Sequence, residues 1–195
     1  MTITEYLNLH SISKLQIGSG HNILPGWYNS DLFGPYPLDA TRPFPIPDNS
    51  FDRIYSEHMI EHITYIQSQQ MLSECYRILK PGGRIRISCP DLQFLIDMYL
   101  NPQEIHRRYM DYYTPYWAPR KEPIFVFNNF VRDWGHQFIY DRPTLIKSLV
   151  DIGFHNILEY NVRESADPNF QNLEIVSRMP EGLLQLETMT LEATK

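Results

Sequence analysis

The sequence has little cysteine, no excess of positive charge and no long apolar run, and each shortage excludes a class of protein. Two cysteines, Cys75 and Cys89, among 195 residues are too few for a disulfide scaffold, and they lack the CxxC spacing of a zinc site. A formal net charge of −6 argues against sequence-independent binding of nucleic acid, which needs a basic surface. No apolar run approaches the roughly 20 residues that span a bilayer. Residues 1–14 also lack the basic start and apolar block of a signal peptide. We therefore predict a cytoplasmic protein with neither a nucleic-acid partner nor a membrane partner.

The order of the predicted elements indicates an α/β domain. Hydrophobic residues make up 43% of the chain and charged residues 21%, as in ordinary globular proteins. The hydrophobic pattern predicts a helix that begins near Thr64 and Gln67, which can form a capping box, and another that begins near Arg142. Strands are predicted over 14–17, 27–32, 51–56, 84–89, 155–162 and 173–177. This alternation is typical of an α/β sheet, so we predict one domain over 1–180, with an aromatic helical insertion at about 100–140 and a loosely held polar tail over 181–195.

A glycine-containing turn follows the first predicted strand. Gly18, Ser19 and Gly20 would let a ligand approach the backbone closely, although the same residues could form a plain tight turn. Ile23 stands where a dinucleotide fingerprint has its third glycine, so a bound pyrophosphate is disfavoured. This argues against a nucleotide-dependent oxidoreductase.

Further motifs link this turn to a known family. Asp31 ends the second strand, Asp39 and Ala40 precede the string PFPIPDNSFD over 43–52, and Glu57 and His58 end the strand after it. The string ILKPGG over 78–83 then joins a helix to a strand. Together these motifs resemble the core of class I S-adenosylmethionine-dependent methyltransferases, especially small members associated with sugar and surface-polysaccharide biosynthesis. The resemblance covers about residues 15–177 and implies a Rossmann-like sheet.

The resemblance also implies a cofactor, an acceptor and a set of site residues. The cofactor would be S-adenosyl-L-methionine, and the acceptor a hydroxyl or amine of a small molecule such as a sugar or polysaccharide intermediate. Three cofactor regions are assigned: the loop under the methionine part (Gly18, Ser19, Gly20), the ribose and adenine contacts (Asp31, Asp39, Ala40), and the strand end near the reactive methyl group (Glu57, His58).

The spacing of the acidic residues departs from the family pattern. The segments from Gly20 to Asp31 and from Asp31 to Asp39 are too short for the helices of about three turns that a regular member has there. We therefore expect truncated early helices and one thinly covered flank of the sheet, which favours a homodimer. The same departure leaves an alternative, a catalytically silent methyltransferase-like protein for binding or assembly.

Two histidines are candidates for the catalytic base that removes the acceptor proton. His58 would approach from the cofactor side, and His136, after the aromatic segment, from the acceptor side. The string HMIEH over 58–62 is also the HxxEH signature of inverted zinc metallopeptidases, but its place after a strand favours the methyltransferase interpretation. We expect no metal, and a structural role for His62 in capping the following helix. The aromatic residues over 109–134 would either pack a subdomain or line an acceptor pocket.

Overall fold

A six-stranded mixed sheet forms the centre of the protein. The computed structural model describes residues 2–195, so Met1, the first residue of the predicted domain, lies outside the described part. The strands are β1 (Lys14–Ile17), β2 (Tyr28–Ser30), β3 (Phe51–Glu57), β4 (Leu79–Pro90), β5 (His155–Tyr160) and β6 (Thr188–Thr194). They are ordered β2-β1-β3-β4-β6-β5, with β1 to β4 parallel and β6 antiparallel to both of its neighbours. The predicted α/β, Rossmann-like sheet is confirmed.

Residues 2–195 form seven helices, and the two predicted near Thr64 and Arg142 begin where expected. They are α1 (Ile3–Leu9), α2 (Tyr65–Ile78), α3 (Leu92–Leu100), α4 (Glu104–Tyr113), α5 (Pro123–Arg132), α6 (Arg142–Ile152) and α7 (Leu183–Glu187). Thr64 and Gln67 form the predicted capping box of α2. Gly153 ends α6 in the left-handed conformation, with φ of +117°. Among residues 2–195, no helix is both long enough and apolar enough to cross a membrane.

The first part of the sheet lacks the usual flanking helices, as expected. Within the described chain, no helix lies between β1 and β3. Tyr6 of α1 is 1% exposed and packs here, its hydroxyl 2.9 Å from the carbonyl oxygens of Lys14 and Gly26. Phe44 and Ile46, from the proline-rich loop, are buried in the same core. The chain therefore supplies its own cover on this side, and the homodimer stays a prediction.

The opposite face of the sheet is polar and is covered by a loop. Gln16, Tyr55, Arg86 and Glu192 are paired across neighbouring strands and are all buried. The loop over 161–178 supplies Glu174, whose Oε1 accepts hydrogen bonds from Nε of Arg86 and Oγ of Ser88, both at 2.7 Å. The strand predicted over 173–177 is therefore wrong, since Glu174 turns this segment onto Arg86 and a single 3₁₀ turn, Val176–Arg178, follows.

The end of the described chain is the largest departure from expectation. The predicted tail over 181–195 instead forms α7 and β6, and β6 lies between β4 and β5 inside the sheet. Met189 and Leu191 enter the apolar core. Glu192 is fully buried because Arg84 and Arg86 both donate hydrogen bonds to its carboxylate. The polar pattern of this segment thus results from buried, paired groups.

Candidate functional site

A cleft of about 340 Å³ opens where the carboxyl ends of the first three strands meet. This is the edge at which α/β sheets usually bind ligands. Five of the seven predicted cofactor residues line it: Gly18, Gly20, Asp31, Asp39 and Ala40. The predicted catalytic residue His58 also lines it. Met59 and Ile63 form part of its apolar wall, and no sequence pattern marked them because they look like ordinary core residues.

The glycine loop comes close to the residues after β3. Gly18 has a φ of +70°, and a Cβ atom at this position would lie 2.4 Å from Cγ of Met59. Gly20 has a φ of +51°, and a Cβ atom there would meet nothing within 4 Å. Gly18 is therefore required for the close approach, whereas Gly20 leaves its side of the loop open to a ligand.

Two carboxylates hold the loops around the cleft. Asp31 accepts hydrogen bonds at 2.7 Å from the backbone N–H groups of Gly20 and Leu32, one on each oxygen. Asp39 accepts from the backbone N–H and the hydroxyl of Thr41, at 2.8 and 2.6 Å, on a single oxygen. These bonds from Thr41 lower the pKa of Asp39, so the carboxylate is ionised near neutral pH. Both side chains keep lone pairs with which to accept further donors.

The other two predicted cofactor residues, Ser19 and Glu57, do not line the cleft. Oε1 of Glu57 accepts from the backbone N–H of Ile175 at 3.1 Å, and Oε2 accepts from Nδ2 of Asn22 at 3.3 Å. The Ser19 N–H donates to the carbonyl of Ser30 at 2.9 Å. Both residues bond to the segments that border the cleft, and their contact with the cofactor stays a prediction.

A second cavity, of about 260 Å³, adjoins the first. His58 and His62 line both cavities. Tyr113, Phe130 and Trp134 form its aromatic wall, and the predicted catalytic residue His136 lies with them. The remaining lining residues are Glu61, Pro90, Arg178, Met179 and Glu187. The aromatic segment therefore both packs a subdomain and lines a pocket, two roles that the sequence left as alternatives.

The HxxEH string does not form the helix of a zinc metallopeptidase. His58 has a φ of +44°, and Ile60–His62 is one 3₁₀ turn. Nε2 of His58 lies 2.9 Å from Oγ1 of Thr188, and its Nδ1 lies 3.4 Å from Oε1 of Glu61. The expected capping role of His62 is wrong, because Thr64 caps α2 and His62 lies in the cavity wall instead.

His136 is held with one nitrogen directed at the protein backbone. Trp134 and Gly135 both have positive φ, which turns the chain just before this histidine. Nδ1 of His136 lies 2.6 Å from the carbonyl oxygen of Phe130, and since a carbonyl only accepts, Nδ1 carries the proton. Burial lowers the pKa of His136, which favours the neutral ring. In that ring Nε2 carries a free lone pair.

Glu61 is a buried carboxylate at the floor of this cavity. The residue is 1% exposed, and among the described residues neither of its side-chain oxygens has a hydrogen-bond partner. Burial raises the pKa of Glu61, but the neighbouring His58 and His62 lower it further, to below its ordinary value. The side chain is therefore anionic, although neither of its oxygens accepts a hydrogen bond from a described residue.

Comparisons with known proteins agree with this architecture. Residues 33–87 match the family described as a methyltransferase domain. A probable S-adenosylmethionine-dependent methyltransferase of Mycolicibacterium smegmatis is 40% identical over 47 residues, which are 24% of this chain and 18% of that protein. The chain thus matches less than a fifth of the length of this curated relative.

Solved structures resemble the whole fold. An S-adenosylmethionine-dependent methyltransferase from Archaeoglobus fulgidus superposes with a TM-score of 0.54 at 17% identity, covering 99% of this chain and 91% of that one. One from Mesorhizobium loti gives 0.54 at 15% identity, covering 99% and 95%. The phosphoethanolamine N-methyltransferase 2 of Haemonchus contortus, in complex with phosphomonomethylethanolamine and S-adenosylhomocysteine, gives 0.55 at 14% identity, covering 94% and 49%. The protein has the fold of class I S-adenosylmethionine-dependent methyltransferases, and a segment within it matches their domain family.

Proposed function

We propose that the protein is an S-adenosylmethionine-dependent methyltransferase that acts on a small-molecule acceptor. The observation that carries the proposal is the junction of two cavities at His58 and His62. One cavity has the glycine loop and acidic residues that suit the cofactor, and the other has an aromatic wall that suits an acceptor. The family match and the cofactor-bound neighbour support the same conclusion.

The residues of the first cleft fit S-adenosylmethionine. It has no phosphate, and the cleft offers carboxylates and no phosphate-binding loop with three glycines. Asp31 and Asp39 retain acceptor capacity for ribose hydroxyls and the adenine edge, while Gly20 leaves room beside the methionine part. Met59 and Ile63 provide apolar surface. When bound, this cofactor supplies an electrophilic methyl group on a sulfonium.

The chain would contribute alignment and proton removal. Holding acceptor and donor in adjoining cavities places the two reactants in one geometry, which accounts for much of the rate gain in a transfer of this kind. With the cofactor bound, the lone pair of the acceptor would take its methyl group, and the electron pair of the broken carbon–sulfur bond would stay on sulfur. Nε2 of His136 is free to take the acceptor proton, whereas His58 is engaged by Thr188 and faces Glu61. His136 is therefore the better of the two candidate bases.

The second cavity limits the size and chemistry of the acceptor. Its volume of about 260 Å³ lies below the roughly 300–1,000 Å³ of pockets for drug-sized ligands, so one small molecule fills it. The faces of Tyr113, Phe130 and Trp134 suit the apolar face of a sugar ring, which supports the finer expectation of a sugar or polysaccharide intermediate. Arg178 adds a positive charge, which suits an acceptor that carries an anionic group.

Calorimetry and a turnover assay test this proposal. We expect micromolar binding of S-adenosylhomocysteine and none of NAD, together with release of S-adenosylhomocysteine in the presence of a suitable hydroxyl or amine from a panel of small molecules that includes monosaccharides. Binding of NAD without binding of the adenosyl compound would contradict the proposal. Binding without turnover across the panel would favour the alternative, a catalytically silent binding or assembly protein.

A further inference from the structure

Three side chains from two distant segments meet at the wall of the second cavity. Glu61 and His62 follow β3, and His136 follows α5. One ligand atom from each of the three, a carboxylate oxygen and two imidazole nitrogens, lies within 4.8 Å of the others. Donors around a single ion at about 2.1 Å lie roughly 3–3.5 Å apart, so a small inward shift of these side chains would bring them to coordination distance. Imidazole and carboxylate are metal-binding groups, and their convergence calls for an explanation.

The state of Glu61 is an independent observation that points to a cation. The residue is 1% exposed, and both carboxylate oxygens lack a hydrogen-bond partner among residues 2–195. The nearest positive candidates are Nδ1 of His58, at 3.4 Å from Oε1, and Nε2 of His62, at 3.9 Å from the same oxygen. A buried carboxylate that accepts no hydrogen bond is costly, because burial removes the water that would solvate the charge. A bound cation would offset that cost.

His136 has the orientation of a metal ligand. Its Nδ1 donates to the carbonyl oxygen of Phe130 at 2.6 Å, so its Nε2 is the nitrogen left to bind an ion. Histidines that bind metals almost always donate their other ring N–H to a carbonyl or carboxylate, which fixes the ring and raises its basicity. The ring is therefore positioned before any ion arrives.

The backbone also holds the two segments in register. The N–H groups of Gln137 and Phe138 donate to the carbonyl oxygen of Glu61, at 2.7 and 3.2 Å. Nε2 of Gln137 donates to the carbonyl oxygen of His62 at 2.9 Å. These bonds tie the residues that follow His136 directly to the Glu61–His62 pair. Backbone contacts thus hold His136 next to Glu61 and His62, although more than seventy residues separate them in the sequence.

We infer that Glu61, His62 and His136 bind one divalent first-row transition-metal ion at the wall of the second cavity. Two imidazoles and one carboxylate favour ions such as Zn²⁺, Fe²⁺ or Co²⁺ over Mg²⁺ or Ca²⁺, which prefer oxygen ligands. Three protein ligands leave coordination positions open, as in catalytic metal sites, and these positions adjoin the cavity. This differs from the expectation, drawn from the sequence, that no metal is present.

The site changes the role of His136. One lone pair on Nε2 cannot bind an ion and accept a proton at the same time, so an ion-bound His136 is not the base. The acceptor proton would then pass to water from an oxygen or nitrogen bound to the ion, since coordination lowers the pKa of such groups. The metal site does not depend on methyl transfer, because binding of an ion can be measured without the cofactor.

Metal titration of the full chain tests the inference directly. The purified protein is treated with a chelator and dialysed, and Zn²⁺ is then titrated by calorimetry, with Co²⁺ in parallel and its visible absorption as the readout. We expect one strong site per chain with micromolar or tighter affinity. Mg²⁺ in large excess should not displace the ion. Absence of saturable binding of both ions would overturn the inference.

Matched variants separate this cluster from surface histidines. Glu61→Gln keeps the shape of the side chain but removes its charge, and His136→Ala removes one imidazole. Each should weaken binding of Zn²⁺ by at least about tenfold, because loss of a mere supporting residue already costs about 10–100-fold. His155→Ala, which removes an exposed histidine of β5, should leave the affinity unchanged. Wild-type affinity in both Glu61→Gln and His136→Ala, with circular dichroism confirming that they fold, would also overturn the inference.

The two proposals can fail separately. Binding of S-adenosylhomocysteine is measured on the metal-free protein, and binding of Zn²⁺ is measured without the cofactor. A protein that binds Zn²⁺ but not the adenosyl compound would retain the metal site and contradict the proposed function. The opposite result would leave the proposed function and remove the metal site.

Discussion

Gly18 lies against Met59 so closely that a Cβ atom on the glycine would be 2.4 Å from Cγ of the methionine. The contact joins the loop after β1 to the residues after β3, and both elements border the first cleft. The backbone of Gly18 also has a φ of +70°, a conformation that residues other than glycine rarely adopt. Steric room and backbone conformation therefore both require glycine here.

Gly18→Ala should reduce both stability and cofactor binding. We expect a loss of roughly 1–3 kcal/mol in the free energy of unfolding, measured by urea denaturation, and at least tenfold weaker binding of S-adenosylhomocysteine. Gly82→Ala is the control, because Gly82 has a φ of +75° but a Cβ atom there meets nothing within 4 Å. It should show the conformational cost without the clash and leave ligand affinity unchanged. Equal effects of the two substitutions would contradict a special role for the contact with Met59.

Asp39→Asn tests the proposal that the negative charge of Asp39 binds the adenine side of the cofactor. An asparagine can still accept the two hydrogen bonds from Thr41, so the loop is preserved while the charge is removed. We expect calorimetry to show a loss of about 1–3 kcal/mol in binding of S-adenosylhomocysteine, the usual range for a charge-assisted hydrogen bond. Asp151→Asn, on the surface of α6 beside Lys147, should have no effect. Unchanged affinity in Asp39→Asn would show that the adenine edge is bound elsewhere.

Arg86→Met tests the buried polar face of the sheet. Arg86 bonds to both Glu174 and Glu192, and all three side chains are fully buried. Removing the arginine leaves two carboxylates without their main partner, so we expect a loss of about 3–5 kcal/mol in the free energy of unfolding. Adding Glu174→Gln and Glu192→Gln to the same chain should recover part of this loss, since neutral amides cost less to bury. A change below about 1 kcal/mol in the single variant would show that water reaches these groups.

His136→Ala tests the chemistry at the second cavity. In protein freed of metal by a chelator, where Nε2 of His136 is available as a base, we expect turnover to fall by roughly 10²–10⁴-fold, the usual contribution of a positioned proton acceptor, with binding of S-adenosylhomocysteine nearly unchanged. His136 lines the second cavity and not the first, which is why the two quantities should separate. Loss of cofactor binding would instead place His136 in the cofactor wall. A decrease in turnover of less than about tenfold would mean that transfer depends on alignment alone.

The cysteines provide a test of the core. Cys75 and Cys89 are fully buried, and burial raises the pKa of both thiols. The thiolate is the reactive form, so neither should react with a thiol reagent in the native protein at neutral pH. In concentrated guanidinium chloride, two thiols per chain should react. Rapid reaction of either cysteine under native conditions would contradict the packing of α2 against β4.

Much of the fold could be predicted because its signals are local. The capping box at Thr64 and Gln67 and the left-handed Gly153 define the ends of two helices from nearby residues alone. β6 could not be predicted in this way. Glu192 looks like a surface residue until it is paired with Arg86, more than a hundred positions earlier in the chain. The same partner network explains why Glu174 was wrongly assigned to a strand.

The first cleft of the candidate site could be predicted from the sequence, but the second cavity could not. Gly18, Gly20, Asp31 and Asp39 lie within a short stretch, and the topology brings the ends of neighbouring parallel strands to one edge. Glu57 ends such a strand, but its carboxylate accepts a hydrogen bond from the backbone N–H of Ile175 in the loop over 161–178 and does not line the cleft. The meeting of Glu61 and His62 with His136 depends on how the aromatic segment folds back, which no local pattern encodes.

The position of β6 has a consequence for synthesis on the ribosome. β5 pairs only with β6 among the described strands, and β6 is also the antiparallel neighbour of β4. When β5 leaves the exit tunnel, the free edge of β4 is therefore still open, and it stays open until residues 188–194 have emerged. Open strand edges promote intermolecular pairing, and contacts between distant segments form slowly. During that interval, nascent chains of this protein should therefore depend on chaperones more than other nascent chains of the same length do.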